Sequence, residues 1–151
     1  MGHYFDTLQA RILQKSRSTN WEKAVLEWEV ESMYEDPEGI CTCGYSPITQ
    51  HNILCNRYTK EKLTVGRICV KRFLPNKEVE KLWQALDRLK NTPDASVPAV
   101  LIEAAEQKHW CDKTECAFLR KIRCKRNISP KQRAWRNRLT RRILYQALWK
   151  A

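Results

Sequence analysis

The sequence predicts an α+β fold, a small antiparallel β-sheet packed with about five α-helices. Three observations carry this. Between Cys41 and Phe73, two short strand-like runs, HNILCN and KLTV, flank a turn-like RYTKE. Upstream, Trp28, Val30 and Ser32 alternate with Glu29 and Glu31, the period of two that a half-buried strand requires. After Phe73 the apolar residues recur at three-to-four spacing, as on helices. A chain of 151 residues fits one compact domain, or a small module with a helical extension. We expect N-terminal helices and the β module in residues 1–75. A basic helical region, 76–151, is expected to pack on them as one compact unit.

Taken in order, Phe5, Leu8, Ile12 and Leu13 give a helical pattern over 4–15. Ser18, Thr19 and Asn20 interrupt it, and Asn20 is placed to cap a second short helix from Trp21. Strands are expected at about 28–34, 50–57 and 61–66, with Asp36-Pro37-Glu38-Gly39 as a turn after the first. A helical turn should follow Gly66. Asn76 is placed to cap a helix carrying Val79, Leu82, Trp83, Leu86 and Leu89, which Thr92-Pro93-Asp94 ends. Ser96 should cap the next helix, with Pro98 in its first turn and Val100, Leu101, Ala104 and Ala105 on its apolar face. Asp112 and Glu115 make a capping-box pattern before AFLRKI. In the last helix Ser129 caps, Pro130 takes the first position and Gln132 completes the box. Trp135, Leu139, Ile143, Ala147 and Leu148 then form an apolar stripe.

The chemistry concentrates in the β segment. Cys41-Thr42-Cys43-Gly44 supplies two thiols and a glycine that lets the chain turn; Cys69 approaches from the far edge of the hairpin. Thiolates and imidazoles brought together in this way hold a tetrahedral zinc ion, which would serve as the core of a segment too short to build one. The fourth ligand should be Cys55 or His51, since residues 51, 53 and 55 share a strand face. Cys55 is the first choice and His51 the alternative. A looser group, His109, Cys111, Cys116 and Cys124, has the spacing H-x-C-x4-C-x7-C, which matches no common zinc finger. Three core-facing thiols in a helical bundle account for it better than a second metal. Seven cysteines, no apolar run near the ~18 residues of a membrane span and no signal-like N-terminus together suggest a reducing, intracellular setting.

Glu27-Trp28, Cys41-Thr42-Cys43-Gly44, Ile53-Leu54-Cys55-Asn56, Val65-Gly66-Arg67-Ile68-Cys69 and Lys71-Arg72-Phe73 together resemble a family of small zinc-ribbon-like proteins. These are mostly uncharacterised and belong to phages, prophages and other mobile elements. Ser129-Pro130-Lys131-Gln132 is similar to an S-x-K-Q helix start near the end of such proteins. Some relatives carry His directly after the C-x-C-G, where this chain has Tyr45. The resemblance implies bound zinc and a mobile-element origin, hence the cytoplasm of a bacterial host.

The net charge is +11, and its placement matters more than its size. From Cys116 onward there are 12 Lys or Arg and no Asp or Glu; the first 115 residues hold the other 16 basic and all 17 acidic side chains. Such one-signed clustering is expected of a polyanion-binding segment. Arg120, Lys121, Arg123, Lys125 and Arg126 precede the last helix; Lys131, Arg133, Arg136, Arg138, Arg141 and Arg142 lie on it. We expect a cationic ridge there, with Arg133, Arg136, Arg141 and Arg142 largely at the surface. Arginine suits phosphate because its planar fork donates two parallel hydrogen bonds. The tryptophans could stack on bases, but Trp83, Trp110 and Trp135 sit in apolar patterns that favour core packing. No G-x-S-x-G, P-loop, H-E-x-x-H or zinc-deaminase signature occurs. The sequence therefore reads as a non-enzymatic, zinc-stabilised protein that binds DNA or RNA through its C-terminal helices. The alternative is an anti-CRISPR-like inhibitor that docks on a host nuclease and blocks its DNA binding.

Overall fold

The computed structural model describes residues 2–74 and 77–148. The fold is α+β, with one antiparallel sheet and seven helices among the described residues. The chain divides into two compact units, a first one through Val79 and a second one from Glu80 to Ala147.

The first unit opens with α1 (His3–Gln14) and the single-turn α2 (Trp21–Val25). Asn20 caps α2 as its sequence position suggests, its side chain accepting the Lys23 N–H at 3.1 Å. The sheet follows: β1 (Trp28–Glu35), β2 (Gln50–Asn56) and β3 (Lys62–Gly66), in the order β1-β2-β3. In β1 the register shifts between Val30 and Ser32, so Glu31 is an extra, bulged residue. Trp28, Val30 and Met33 therefore lie opposite Asn56, Leu54 and Asn52, while Glu29, Ser32 and Tyr34 lie opposite Cys55, Ile53 and His51. The simple alternation read from the sequence is broken at Glu31, and Met33 rather than Ser32 continues the face of Trp28. That face is the inner one: Leu54 and Val65 are buried with Leu8 and Ile12 of α1, Trp28, and Val70 and Phe73 of α3 (Arg67–Phe73). Truncating a fully buried leucine such as Leu8 or Leu54 to alanine costs about 2–5 kcal/mol.

The second unit is helical. It holds most of α4 (Glu78–Asn91), then α5 (Ala99–Gln107), α6 (Lys113–Arg123) and α7 (Pro130–Leu148). The expected cap at Asn76 lies outside the described residues. Ser96 does not cap α5. Pro98 occupies the N-cap with extended backbone, and its carbonyl accepts from Leu101 at 3.0 Å. Both expected capping boxes form. Asp112 and Glu115 exchange hydrogen bonds of 2.7 and 2.9 Å, and Ser129 and Gln132 exchange bonds of 3.1 and 3.0 Å. Trp83, Leu86 and Leu89, Leu101 and Ile102, Leu119 and Ile122, and Leu139 and Ile143 supply the buried apolar side chains of this unit.

Candidate metal centre

Three cysteines meet where the β1–β2 connection runs along β3. Glu38 N–H closes a turn onto the Asp36 carboxylate at 3.0 Å. Gly39 follows with φ +157, and a Cβ there would lie 2.1 Å from His51 Cε1, so only glycine leaves room for the imidazole. The chain then folds tightly on itself: Cys41 N–H donates to the Tyr45 carbonyl at 3.0 Å and Gly44 N–H to the Cys41 carbonyl at 2.8 Å. Gly44 adopts φ +99, the left-handed region that the sequence assigns to a glycine. Thr42 fastens the loop to β3, its N–H and hydroxyl both donating to the Thr64 carbonyl, at 2.8 and 2.6 Å. From α1, Arg11 Nη1 donates to the Thr42 carbonyl at 2.7 Å.

This loop brings Cys41 and Cys43 to Cys69, the third residue of α3, with the three sulfurs within 4.8 Å of one another. Cys41 and Cys43 are buried and Cys69 is half-buried. The backbone is aimed at the sulfurs, with Gly66 N–H donating to Cys41 Sγ at 3.2 Å and Tyr45 N–H to Cys43 Sγ at 3.4 Å. Hydrogen bonds to sulfur favour the thiolate, which is the metal-binding form. The hydrogen bond from Cys69 holds the Cys41 thiol down to about 5 against the opposing effect of burial, with help from Gly66 N–H. Sharing that charge pushes Cys69 up, and burial pushes Cys43 up. The three sulfurs share their charge within one small cluster, and it could hold a metal ion.

The two residues expected to supply a fourth ligand do not join this group. His51 is only 2% exposed, but its ring turns toward β1. It stacks on Tyr34 with centroids 4.6 Å apart, and Nε2 lies 3.0 Å from the Asp36 carbonyl. Cys55 fails for another reason. It lies on the sheet face of Glu29 and Ile53, opposite the one that carries Leu54 into the core. Its Sγ instead donates weakly to the Asn56 carbonyl at 3.7 Å. Among the described residues, His109, Cys111, Cys116 and Cys124 form no three-ligand group. Cys111 and Cys116 are buried thiols, with Cys116 Sγ 3.9 Å from the Cys111 carbonyl, and Cys124 is exposed.

Sequence reasoning missed the polar seam that holds this unit in shape. Glu27 is buried with its carboxylate filled by the N–H groups of Arg17 and Ser18, at 2.7 and 2.8 Å, and by Asn56 Nδ2 at 3.0 Å. Burial pushes its carboxyl up, but these donors outweigh burial and hold it below the ordinary value of 4.5. Beside it, Trp28 Nε1 donates to Ser16 Oγ at 2.8 Å. The E-W pair was visible in the sequence, but nothing local linked it to Asn56.

The cationic residues fall into two groups. Arg136, expected largely at the surface, is a correction: it is 8% exposed and paired with Asp94, because α7 buries Arg136, Leu139, Thr140, Ile143 and Ala147. Trp135 lies beside that stripe, half-buried and stacked on Phe118 at 3.9 Å. Arg133 lies 3.7 Å from Asp94, Arg142 2.8 Å from Glu115 and Arg120 3.0 Å from Glu106. By contrast Lys121, Arg123, Lys125, Arg126, Lys131, Arg138 and Arg141 are exposed and make no ion pair with another described residue. At about 100° per residue, Lys131, Arg138, Arg141 and the exposed Tyr145 fall opposite the buried stripe of α7.

Fold and site define an α+β chain with a three-cysteine cluster able to hold a metal ion. No family model matches it, and no curated protein or solved structure matches it either. Among the described residues no helix is long and apolar enough to cross a membrane.

Proposed function

We propose that this is a zinc-stabilised nucleic-acid-binding protein whose α6–α7 region engages the phosphate backbone. The observation that carries the reading is the set of seven exposed cations from Lys121 to Arg141 that pair with no other described residue, in a segment without one acidic side chain. A solvated face needs no such segregation of charge. Lys131, Arg138 and Arg141 share their face of α7 with Tyr145, an aromatic ring among cations, which suits a strand whose bases can stack. Zinc enters through the donor set: three thiols, two of them receiving backbone N–H groups, form a soft site of the kind zinc takes structurally. The ion would join the β1–β2 connection to α3. A phage or mobile-element setting rests on the motif resemblance alone.

The test is binding of labelled single- and double-stranded DNA and RNA, followed by fluorescence anisotropy across a salt series. Each phosphate contact releases condensed counterion and adds about 0.9 to the slope of log affinity against log salt. Wild-type protein should show a steep slope, and the K131Q/R138Q/R141Q variant a shallower one with zinc content unchanged. Wild-type protein with no salt-sensitive binding would overturn this reading and leave docking on an acidic protein surface as the use of the ridge.

A further inference from the structure

His51 is 2% exposed, and its ring is held at one nitrogen only. Nε2 lies 3.0 Å from the Asp36 carbonyl, which can only accept, so Nε2 carries the ring hydrogen and donates it there. Nδ1 is then left with a bare lone pair. It is buried and has no hydrogen-bond partner among the described residues. Buried polar atoms are nearly always paired, so an exception marks a place for a water, an ion or a ligand. A metal-binding histidine has this same arrangement, with one nitrogen tied by its N–H to a carbonyl and the other free to coordinate.

Two contacts join this nitrogen to the cysteine loop. On one side is Gly39, where a Cβ would lie 3.2 Å from Nδ1, so the backbone leading to Cys41 runs directly against the lone pair. On the other side, His51 stands opposite Gly66 in the β2–β3 pairing, and Gly66 N–H is the group that donates to Cys41 Sγ at 3.2 Å. Residues directly opposite in a sheet share a face, so the imidazole rises beside a position without a side chain. Ile48 packs over that position, its Cγ2 3.3 Å from where a Cβ of Gly66 would be. Cys55 shares the face of His51 but lies four residues along β2, about 13 Å farther from the loop. Of the two sequence candidates, only His51 therefore abuts the segment that carries Cys41 and Cys43.

We propose that His51 Nδ1 is the fourth ligand of the metal held by Cys41, Cys43 and Cys69, making the loaded centre Cys3His. This rests on the zinc reading above. His51 stands outside the three-sulfur group, so loading draws the Gly39–Cys41 stretch and the ring together, with Nε2–H kept on the Asp36 carbonyl. Nδ1 gives its lone pair to the metal. No proton leaves the ring and no electron is transferred.

The experiment titrates full-length protein, carrying isotope-labelled histidine, with zinc. Long-range proton–nitrogen correlation spectra separate bare, protonated and metal-bound ring nitrogens, and the spectrum of His51→Asn assigns the His51 signals against His3 and His109. One equivalent of zinc should move His51 Nδ1 from the bare to the metal-bound position and leave Nε2 protonated. Spin-active cadmium in place of zinc should split the same Nδ1 signal, which only a direct bond does. His51→Asn should weaken zinc binding by at least about tenfold, the loss that follows removal even of a group that only orients a ligand. Zinc bound with the Nδ1 signal unmoved means that water satisfies this nitrogen, and overturns the inference while the three-thiolate centre stands. A folded His51→Asn with wild-type affinity does the same. If that variant does not fold, the titration of the wild type decides by itself. Wild-type protein that binds no zinc overturns the metal reading, and this inference with it.

Discussion

Asn56 Nδ2 donates to Glu27 Oε1 at 3.0 Å and so joins the end of β2 to the residue before β1. Neither side chain stops there. Glu27 also gathers the N–H groups of Arg17 and Ser18, while Asn56 Oδ1 accepts from Tyr58 and Thr59 at 2.9 and 3.0 Å. One carboxylate–amide pair therefore fixes the α1–α2 connection, the start of the sheet and the β2–β3 turn together. Glu27→Ala would leave three donors without their acceptor, the buried Asn56 amide and the half-buried N–H groups of Arg17 and Ser18. The expected loss is about 2–4 kcal/mol by urea denaturation. A loss under 0.5 kcal/mol, in a regime where surface changes fall, would show that water replaces the carboxylate freely.

The same group sets a pH dependence. The folded-state pKa of Glu27 is lowered below 4.5, so its contribution is fully present above the unfolded value and fades as pH falls through the folded one. Stability should therefore drop as pH is taken below 4.5, and Glu27→Gln should flatten that part of the profile. Parallel profiles for the two proteins would remove Glu27 from the account.

Metal uptake should be stoichiometric and should release protons. Burial pushes Cys43 up and the shared charge of Cys41 pushes Cys69 up, whereas Cys41 is held down to about 5. Binding one zinc at pH 7 should then free about two protons, read from the buffer dependence of the calorimetric enthalpy. Serine at Cys41, Cys43 or Cys69 should abolish uptake, whereas Cys55→Ser should retain about one zinc per chain by elemental analysis. Zinc retained by Cys69→Ser would be the damaging result.

Arg136 should separate from its neighbours on α7. It is nearly buried against Asp94, so Arg136→Gln should cost about 1–2 kcal/mol of stability. Its effect on the salt slope of nucleic-acid binding should be small. Arg138→Gln should do the reverse, with stability unchanged and the slope reduced by about 0.9. Equal effects from both would mean that α7 does not present one face to its ligand.

Much of this architecture is legible in the residue pattern because it is locally encoded. Ser129 with Gln132, and Asp112 with Glu115, announce their helix starts, since a cap needs only residues three apart. The C-x-C-G loop and Cys69 are legible for a related reason: Gly44 marks the turn that brings the sulfurs together. What fails is phase. Arg136 takes a buried place because the stripe of α7 centres on Leu139, Thr140 and Ile143, and Trp135 lies at its margin. Cys55 falls on the wrong face for the same kind of reason: strand alternation puts Leu54, not its neighbour, into the core. The Glu27–Asn56 pair, separated by 29 residues, left no local trace at all.

The fastening of Thr42 to Thr64 has a further consequence, because β3 is an edge of the sheet. An open edge is a template on which another chain can add a strand. Here the cysteine loop occupies it, taking the Thr64 carbonyl with Thr42 and the Gly66 N–H with Cys41 Sγ. The ligand loop is thus also the guard of the strand beside it. Removing a metal held by Cys41, Cys43 and Cys69 should loosen that guard and bare a short ladder of unpaired backbone groups. Apoprotein should self-associate with rising concentration, seen as growing light scattering, where the metal-loaded chain stays monodisperse.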